Sequence, residues 1–211
     1  MKARRPLRII AGEHRRRLLR GPADYATTRP ITDRVKQALF DRLETRAMLD
    51  GGHVLDIFCG TGTLGLEALS RGCDQCTFIE KDRTARALLE ENIAELNETA
   101  RSTVLGVDAL HAGWLRTLPP PPVSLVFLDP PYPMTQDARG MSRVEALITQ
   151  LADVCEPLAV CVLRTEEHTA AQPAPGWDGP LAMNFGSMTL HFFVRLDDDA
   201  SSEQRQAQDA Q

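Results

Sequence analysis

Apolar residues recur along most of the chain with periods that alternate between those of helices and strands. The first pattern predicts a helix over 33–46, which Thr32 or Asp33 can cap and whose apolar positions share one face: Val35, Ala38, Leu39, Leu43 and Ala47. Short apolar runs further on predict strands at 53–58, 75–80, 102–107, 123–128, 158–164 and 187–195. Between them the pattern predicts helices at 63–71, 82–97 and 137–154.

Strands that alternate with helices at this spacing are typical of a doubly wound α/β fold, in which a parallel sheet is covered on both faces. Ligands of such sheets bind beyond the carboxyl ends of the strands, where the strand order reverses. We therefore expect the residues that directly follow each strand to carry the chemistry.

The length of 211 residues predicts one main domain with at most a small appendage. With 43% hydrophobic and 25% charged residues, the composition is that of an ordinary globular protein. No run approaches the roughly 18 apolar residues of a membrane span, and no signal segment is present, so we expect a cytoplasmic protein. Five cysteines in that setting indicate reduced thiols. Cys73 and Cys76 lack the second pair of a zinc site and the histidines are scattered, so the sequence predicts no metal site.

Charge is unevenly distributed. Residues 1–46 hold thirteen Lys and Arg against five Asp and Glu, whereas the rest of the chain holds eleven against twenty-four. The arginine-rich start suits the phosphates of a nucleic acid, RNA or DNA, although a solvated basic tail would have the same composition. The polar end, 197–211, predicts a disordered acidic tail to which we assign no function.

A glycine loop follows the 53–58 strand. It reads Gly60-Thr-Gly62-Thr-Leu-Gly65, and Glu80 ends the next strand twenty residues after Gly60. Glu80 suits the ribose hydroxyls that NAD and S-adenosylmethionine share. Asp56, inside the strand, favours S-adenosylmethionine, because its cationic groups would pair with a carboxylate that the NAD pyrophosphate would repel. Asp56 could instead only accept backbone N–H bonds of the glycine turn.

Two loop segments supply further candidates. Asp108, directly after the third strand, can accept a hydrogen bond from an adenine amino group, or be an ordinary exposed aspartate. The fourth strand ends in Asp129-Pro130-Pro131-Tyr132. Asp129 and the Pro130 carbonyl can accept the N–H groups of an exocyclic amino group and aim its lone pair at a methyl sulfonium, while Tyr132 offers a face for base stacking. The alternative is a proline-rich strand exit with an N-capping aspartate.

This combination resembles methyltransferases that use S-adenosylmethionine to modify exocyclic amino groups. Five segments are similar, in order, to the bacterial 16S rRNA guanine-N2 methyltransferase family often called RsmD: Arg8–Gly12, Arg15–Leu18, Arg29–Lys36, Val54–Gly62 and Gly65–Gly72. The resemblance runs from about residue 8 to 195. It implies a seven-stranded, mostly parallel sheet with the last strand antiparallel, and methylation of N2 of one guanine in 16S rRNA, with the small ribosomal subunit or its assembly intermediate as substrate.

The resemblance also assigns residues. Asp129, Pro130, Pro131 and Tyr132 would form the catalytic site. The cofactor site would comprise Asp56, Phe58, Gly60, Gly62, Glu80, Lys81, Asp108 and Ala109. RNA would be bound by Arg8, Arg15, Arg16, Arg17, Arg29, Thr32 and Arg34. The expected division is an RNA-binding arm and helix at 1–50, a methyltransferase domain at 51–196 and the tail, in a monomer that needs no membrane.

Three other functions stay open at this point. The Asp-Pro-Pro-Tyr sequence does not name the base, so an adenine-N6 methyltransferase acting on DNA or RNA is one. A non-catalytic rRNA-binding assembly factor that retains the fold is another, and an NAD oxidoreductase is a distant third. Binding of S-adenosylmethionine, of neither cofactor or of NAD would separate methyltransferase, scaffold and oxidoreductase.

Overall fold

One mixed sheet of seven strands forms the centre of the protein, whose computed structural model describes residues 6–22, 31–46 and 48–197. The strand order is β3-β2-β1-β4-β5-β7-β6, and β7 alone is antiparallel to its neighbours. This confirms the expected fold. The strands are β1 His53–Ile57, β2 Gln75–Ile79, β3 Ser102–Leu105, β4 Val123–Leu128, β5 Cys155–Glu166, β6 Trp177–Phe185 and β7 Met188–Arg195.

Five α-helices accompany the sheet in the described residues: α1 Asp33–Glu44, α2 Gly65–Ser70, α3 Arg83–Glu95, α4 Tyr132–Gln136 and α5 Ala138–Leu151. Thr32 caps α1 as predicted, since its hydroxyl accepts from the Val35 N–H. The predicted helices and strands are all present, with ends shifted by a few residues. Strand β6 and helix α4 are additions that the sequence pattern did not predict.

The alternation of side chains along the strands divides the core into two layers. Val54 and Phe127 point to the face covered by α1, α2 and α3, whereas Leu55 and Leu128 point to the face covered by α5. Helix α5 presents its apolar stripe to that second face: Met141, Val144, Leu147, Ile148 and Leu151. The order of strands reverses between β1 and β4, which is where a ligand site is expected in this fold.

The basic arm, residues 6–22, folds back on itself and packs on the first face. The Ile9 N–H donates to the Arg17 carbonyl (2.9 Å) and the Arg16 N–H to the Ile9 carbonyl (2.9 Å). Ile9 and Leu19 are buried in the same core as α1 and the sheet. We call this side of the sheet the arm face.

Other sequence expectations fall partly outside the described residues. Residues 198–211 of the predicted tail, and 1–5 and 23–30 of the predicted arm, lie there. The five cysteines are buried free thiols, and burial raises the pKa of each of them. Within 6–22, 31–46 and 48–197, no helix combines the length and the apolar character needed to cross a membrane.

Candidate active site

Three carboxylates lie at the carboxyl ends of three neighbouring strands. Asp56 in β1 pairs in register with Phe78 of β2 and Phe127 of β4. Glu80 and Asp129 follow those two partners by two residues, so the alternation of side chains turns all three carboxylates to the arm face. The parallel sheet thus joins acidic residues that are far apart in sequence.

Asp56 is a buried carboxyl group with an unusual ionisation. Its Oδ2 accepts a hydrogen bond from the Gly65 N–H at 2.8 Å, at the start of α2. The pKa of Asp56 is raised to about 8, chiefly by burial and also by the negative charges of Asp129 and Glu80, while the hydrogen bond from Gly65 acts to lower it. One oxygen of Asp56 therefore accepts a backbone N–H of the glycine turn, as the alternative in the sequence analysis expected. A cation that bound beside the carboxyl group would favour its charged form.

The loop after β1 has left-handed backbone at three points: Phe58 (φ 59°), Gly60 (φ 55°) and Gly62 (φ 81°). A Cβ on Gly62 would lie 2.3 Å from Leu89 Cδ1, whereas a Cβ on Gly60 would meet nothing within 4 Å. Gly62 is thus required by packing, and Gly60 borders open space.

Glu80 braces this loop and the start of α3. Its Oε2 accepts from the Gly60 N–H (2.9 Å) and its Oε1 from the Asp82 N–H (2.8 Å). Each carboxylate oxygen has a further lone pair. Glu80 therefore fixes the glycine loop and retains acceptor capacity for a ligand hydroxyl.

Asp108 and Lys81 pair with each other after β3 and β2. Asp108 Oδ2 lies 3.3 Å from Lys81 Nζ, and its Oδ1 accepts from the Leu110 N–H at 3.1 Å. Partial burial raises the pKa of Asp108, but the Leu110 hydrogen bond, Lys81 and His111 together bring it below its ordinary value. The neighbouring Ala109 is buried, and its carbonyl accepts from Trp114 Nε1. Asp108 is therefore an ionised acceptor at the rim of the site.

The segment Asp129–Tyr132 leaves β4 beside β1. The Asp129 N–H donates to the Ile57 carbonyl (3.1 Å), which keeps the residue in line with the sheet. Pro130 is buried, Pro131 is the N-cap residue of α4, and Tyr132 is the first residue of that helix. Asp129 does not cap α4, so the alternative of an N-capping aspartate does not hold.

A residue that was not predicted from the sequence completes this corner. Arg164 Nε donates to Asp129 Oδ1 at 2.5 Å, and the Arg164 guanidinium lies 5.4 Å from the centroid of the Tyr132 ring. The sequence does contain a sign of this role, because Arg164 directly follows the apolar run Val160–Leu163 and a cation in a buried strand needs a partner.

The predicted RNA-binding residues lie mostly on the surface of the arm and of α1. The side chains of Arg15, Arg16 and Arg34 are exposed and make no hydrogen bond or ion pair with another described residue. Arg8 pairs with Asp33 (2.6 Å) and Arg17 donates to the Glu95 carbonyl (2.8 Å). Thr32 caps α1, and Arg29 falls outside the described residues.

The sheet order, the reversal between β1 and β4 and the glycine loop after β1 define a class I methyltransferase, the class that takes its methyl group from S-adenosylmethionine. The chain belongs to the family described as Conserved hypothetical protein 95, whose model matches residues 7–194. This confirms the RsmD-like resemblance and makes an NAD oxidoreductase the wrong alternative.

Two relatives and one solved structure illustrate the similarity. The chain is 34% identical over 180 residues to "Putative rRNA methyltransferase YlbH" of Bacillus subtilis, covering 84% of this chain and 90% of the relative. It is 38% identical over 126 residues to "Ribosomal RNA small subunit methyltransferase D" of Escherichia coli, covering 60% of each chain. The structure of "Putative methyltransferase yhhF from Escherichia coli" matches with a TM-score of 0.73 at 30% identity, covering 90% of this chain and 98% of that chain.

Proposed function

We propose that this protein transfers a methyl group from S-adenosylmethionine to the N2 amino group of a guanine in 16S rRNA. The observation that carries the proposal is the position of Asp129 at the end of β4, beside Asp56 and with Tyr132 next to it. The names of the Escherichia coli and Bacillus subtilis relatives support rRNA as the substrate. Within that reaction the guanine amino group is our inference from the resemblance.

The residues present fit the cofactor. The Glu80 carboxylate suits the cationic groups of the cofactor, and so does Asp56, whose carboxyl group would ionise when an ammonium or sulfonium arrives. Gly60 borders open space, and Asp108 is an ionised acceptor at the rim. We propose that the cofactor site also includes the other residues predicted from the sequence: Phe58, Gly62, Lys81 and Ala109. When bound, S-adenosylmethionine supplies an electrophilic methyl group on a sulfonium.

The chain's own residues would prepare the nucleophile. An exocyclic amino nitrogen is a poor nucleophile because its lone pair is delocalised into the ring. Asp129 and the Pro130 carbonyl accept its N–H groups, which favours the geometry in which the lone pair is available and balances the positive charge that develops on nitrogen. Asp129 then holds the departing proton, while Tyr132 stacks on the base.

The arm would bind RNA beside this site. Arg15, Arg16 and Arg34 lie exposed on the arm and on α1, and both elements pack on the sheet face to which Asp129 points. Exposed guanidinium groups suit phosphates through bidentate hydrogen bonds. We propose the small subunit or its assembly intermediate as the physiological substrate and a monomer as the active form.

The experiment is transfer of labelled methyl from S-adenosylmethionine to small ribosomal subunits from cells that lack this enzyme, followed by nucleoside analysis. Naked 16S rRNA and duplex DNA serve as comparison substrates, and Asp129→Ala is the matched variant. We expect N2-methylguanosine from the subunits and a loss of about 10²-fold or more with Asp129→Ala. Label in N6-methyladenine would support the alternative of an adenine-N6 methyltransferase. Binding of the cofactor without methyl transfer would support the alternative of a non-catalytic rRNA-binding assembly factor.

A further inference from the structure

Arg164 is a buried cation at the end of an otherwise apolar stretch of β5. Its side chain is 8% exposed, and the four residues that precede it are buried in the core: Val160, Cys161, Val162 and Leu163. Taking a guanidinium out of water is costly unless it is paired and hydrogen-bonded. A hydrophobic residue would serve the sheet better, so the role of Arg164 lies in the groups that it contacts.

The register of the sheet sets Arg164 beside Asp129. Leu128 of β4 pairs with Leu163 of β5. Asp129 directly follows Leu128, and Arg164 directly follows Leu163. The alternation of side chains then turns both to the arm face. The contact is therefore fixed by two central strands rather than by a mobile loop, which is the kind of support that a precise site needs.

Two described residues that Arg164 contacts belong to the proposed base site. Its Nε donates to Asp129 Oδ1 at 2.5 Å, and its guanidinium lies 5.4 Å from the Tyr132 ring centroid, within cation–π range. Among the described residues, Asp129 Oδ2 accepts no hydrogen bond. One carboxylate oxygen is thus held by the scaffold, while the other accepts from no described residue and is left as an acceptor for a ligand.

We propose that Arg164 is a positioning residue that orients the Asp129 carboxylate and the Tyr132 ring for the target base, leaving Asp129 Oδ2 as the acceptor of its amino group. The part that concerns the base rests on the proposed function. The part that concerns Asp129 and Arg164 stands on the geometry alone. We assign Arg164 no contact with the substrate, so its effect would pass through Asp129 and Tyr132.

Charge as well as orientation follows from the pair. Burial raises the pKa of Asp129, and Arg164 opposes that effect by its charge and its hydrogen bond. Among the described residues, the other charged or titratable groups toward this corner are Tyr132 in α4 and Glu166, which lies two residues further along β5 and accepts from Gln136 of α4. Asp56 lies across β1, with Glu80 of β2 beyond it. Removal of Arg164 leaves Asp129 among acidic neighbours, so the pKa of Asp129 must rise.

The test compares Arg164→Gln and Arg164→Lys with the unaltered protein in two measurements. The first is a ¹³C NMR titration of the aspartate carboxyl carbons in the free protein, with Asp129→Asn to assign the signal. The second is kcat against pH for methyl transfer to small subunits. Circular dichroism and melting temperature establish that each variant is folded.

Arg164→Gln is expected to raise the pKa of Asp129 in the free protein by about 1 to 3 units and to move the acidic limb of the kcat profile in the same direction. The kcat at pH 7.5 should fall at least about tenfold, with a smaller change in KM. Arg164→Lys should restore the pKa of Asp129, because the charge is kept, but restore kcat only in part, because an ammonium lacks the fixed planar geometry.

A purely structural arginine would lower the melting temperature while kcat and its acidic limb stayed where they are in the unaltered protein, and that result overturns the inference. An unchanged titration of Asp129 would overturn it as well, because the contact between Arg164 and Asp129 would then be absent. The NMR measurement needs neither RNA nor cofactor. If the unaltered protein methylates no 16S rRNA, the proposed function fails, and the titration still decides whether Arg164 controls Asp129. If methyl transfer occurs and the acidic limb stays in place in Arg164→Gln, only the present inference fails.

Discussion

Lys36 Nζ lies 3.2 Å from Glu67 Oε2, in an ion pair whose side chains are only 2% and 0% exposed. Lys36 also donates to the Arg8 carbonyl (2.6 Å) and to Thr63 Oγ1 (3.2 Å). Burial lowers the pKa of Lys36, and the charge of Glu67 opposes that effect. One buried cation on α1 therefore holds the basic arm, α2 and the end of the glycine loop together.

Glu67 is the other half of this junction. Its two oxygens accept from the backbone N–H groups of Ile10 (2.8 Å) and Ala11 (3.0 Å), and Oε1 also accepts from Arg71 Nε (2.8 Å). The arm is thus bound to α2 partly through this one side chain, which is removed from water, and Ser70 supplies further hydrogen bonds. Breaking a buried pair by removing one charge leaves the other uncompensated, which is the costly case.

Glu67→Gln is accordingly expected to destabilise the protein by about 3 kcal/mol and to speed hydrogen exchange at Ile10 and Ala11. Urea unfolding gives the first quantity and amide exchange the second. Glu44→Gln is the matched control, because Glu44 also pairs with Arg71 but is half exposed, so its destabilisation should stay below about 1 kcal/mol. Equal destabilisation in the two variants would contradict the importance of burial.

The two glycines of the loop allow a prediction in which stability and binding separate. Gly62→Ala forces a Cβ against Leu89 at positive φ and should cost about 1–3 kcal/mol of stability. Gly60→Ala meets no protein atom within 4 Å, so its cost should be the backbone strain of about 1 kcal/mol. Its methyl group would enter the proposed cofactor space.

Calorimetric titration with S-adenosylmethionine and urea unfolding of both variants check this. We expect the affinity of Gly60→Ala to fall at least about tenfold, because a methyl group inserted into a fitted pocket displaces the ligand. Unchanged affinity in Gly60→Ala would show that the cofactor does not approach this part of the loop.

The fold could be predicted from the sequence wherever a period was regular. Strands β1 and β4 are buried on both faces and read as apolar runs, and α5 keeps its apolar stripe over its whole length. Strand β6 was missed because it is an edge strand whose residues are mostly exposed or half-buried, and because it contains Gly179 and Pro180, which normally indicate a turn.

The candidate site could be predicted only in part, because some of its contacts join segments that are far apart in the sequence. Asp56, Glu80 and Asp129 could be singled out because residues at the carboxyl ends of parallel strands were expected to carry the chemistry. The contact between Asp129 and Arg164 could not be predicted, because Arg164 lies 35 residues further on and the contact depends on the register of β4 against β5. Glu67 looked like an ordinary helical residue, because nothing in its own segment shows that the arm covers it.

Asp56 gives a pH dependence with a definite sign. Its pKa of about 8 means that the carboxyl group is mostly protonated in the free protein at pH 6. A cationic ligand favours the ionised form, so binding of S-adenosylmethionine must release a proton below pH 8. The Kd should therefore fall as the pH rises from 6 to 7.5, by at most about tenfold per unit.

Calorimetry in two buffers of different ionisation enthalpy measures that proton release directly. Asp56→Asn is the control, because an amide oxygen still accepts from the Gly65 N–H but does not titrate. Its affinity should be weaker and independent of pH over this range. Release of no proton by the unaltered protein would mean that Asp56 does not face the cationic part of the cofactor.

The basic arm can be tested through the salt dependence of RNA binding. Arg15→Gln with Arg16→Gln removes two exposed guanidinium groups that have no partner among the described residues. If both bind phosphates, the log–log slope of binding against salt should flatten by about one unit for each phosphate that is no longer neutralised. Filter binding to 16S rRNA over a range of KCl concentrations measures the slope.

Arg116→Gln with Arg143→Gln removes the same charge from the opposite side of the sheet, where α5 packs, and should leave the slope nearly unchanged. The same flattening in both double variants would mean that net charge, rather than the arm, governs binding.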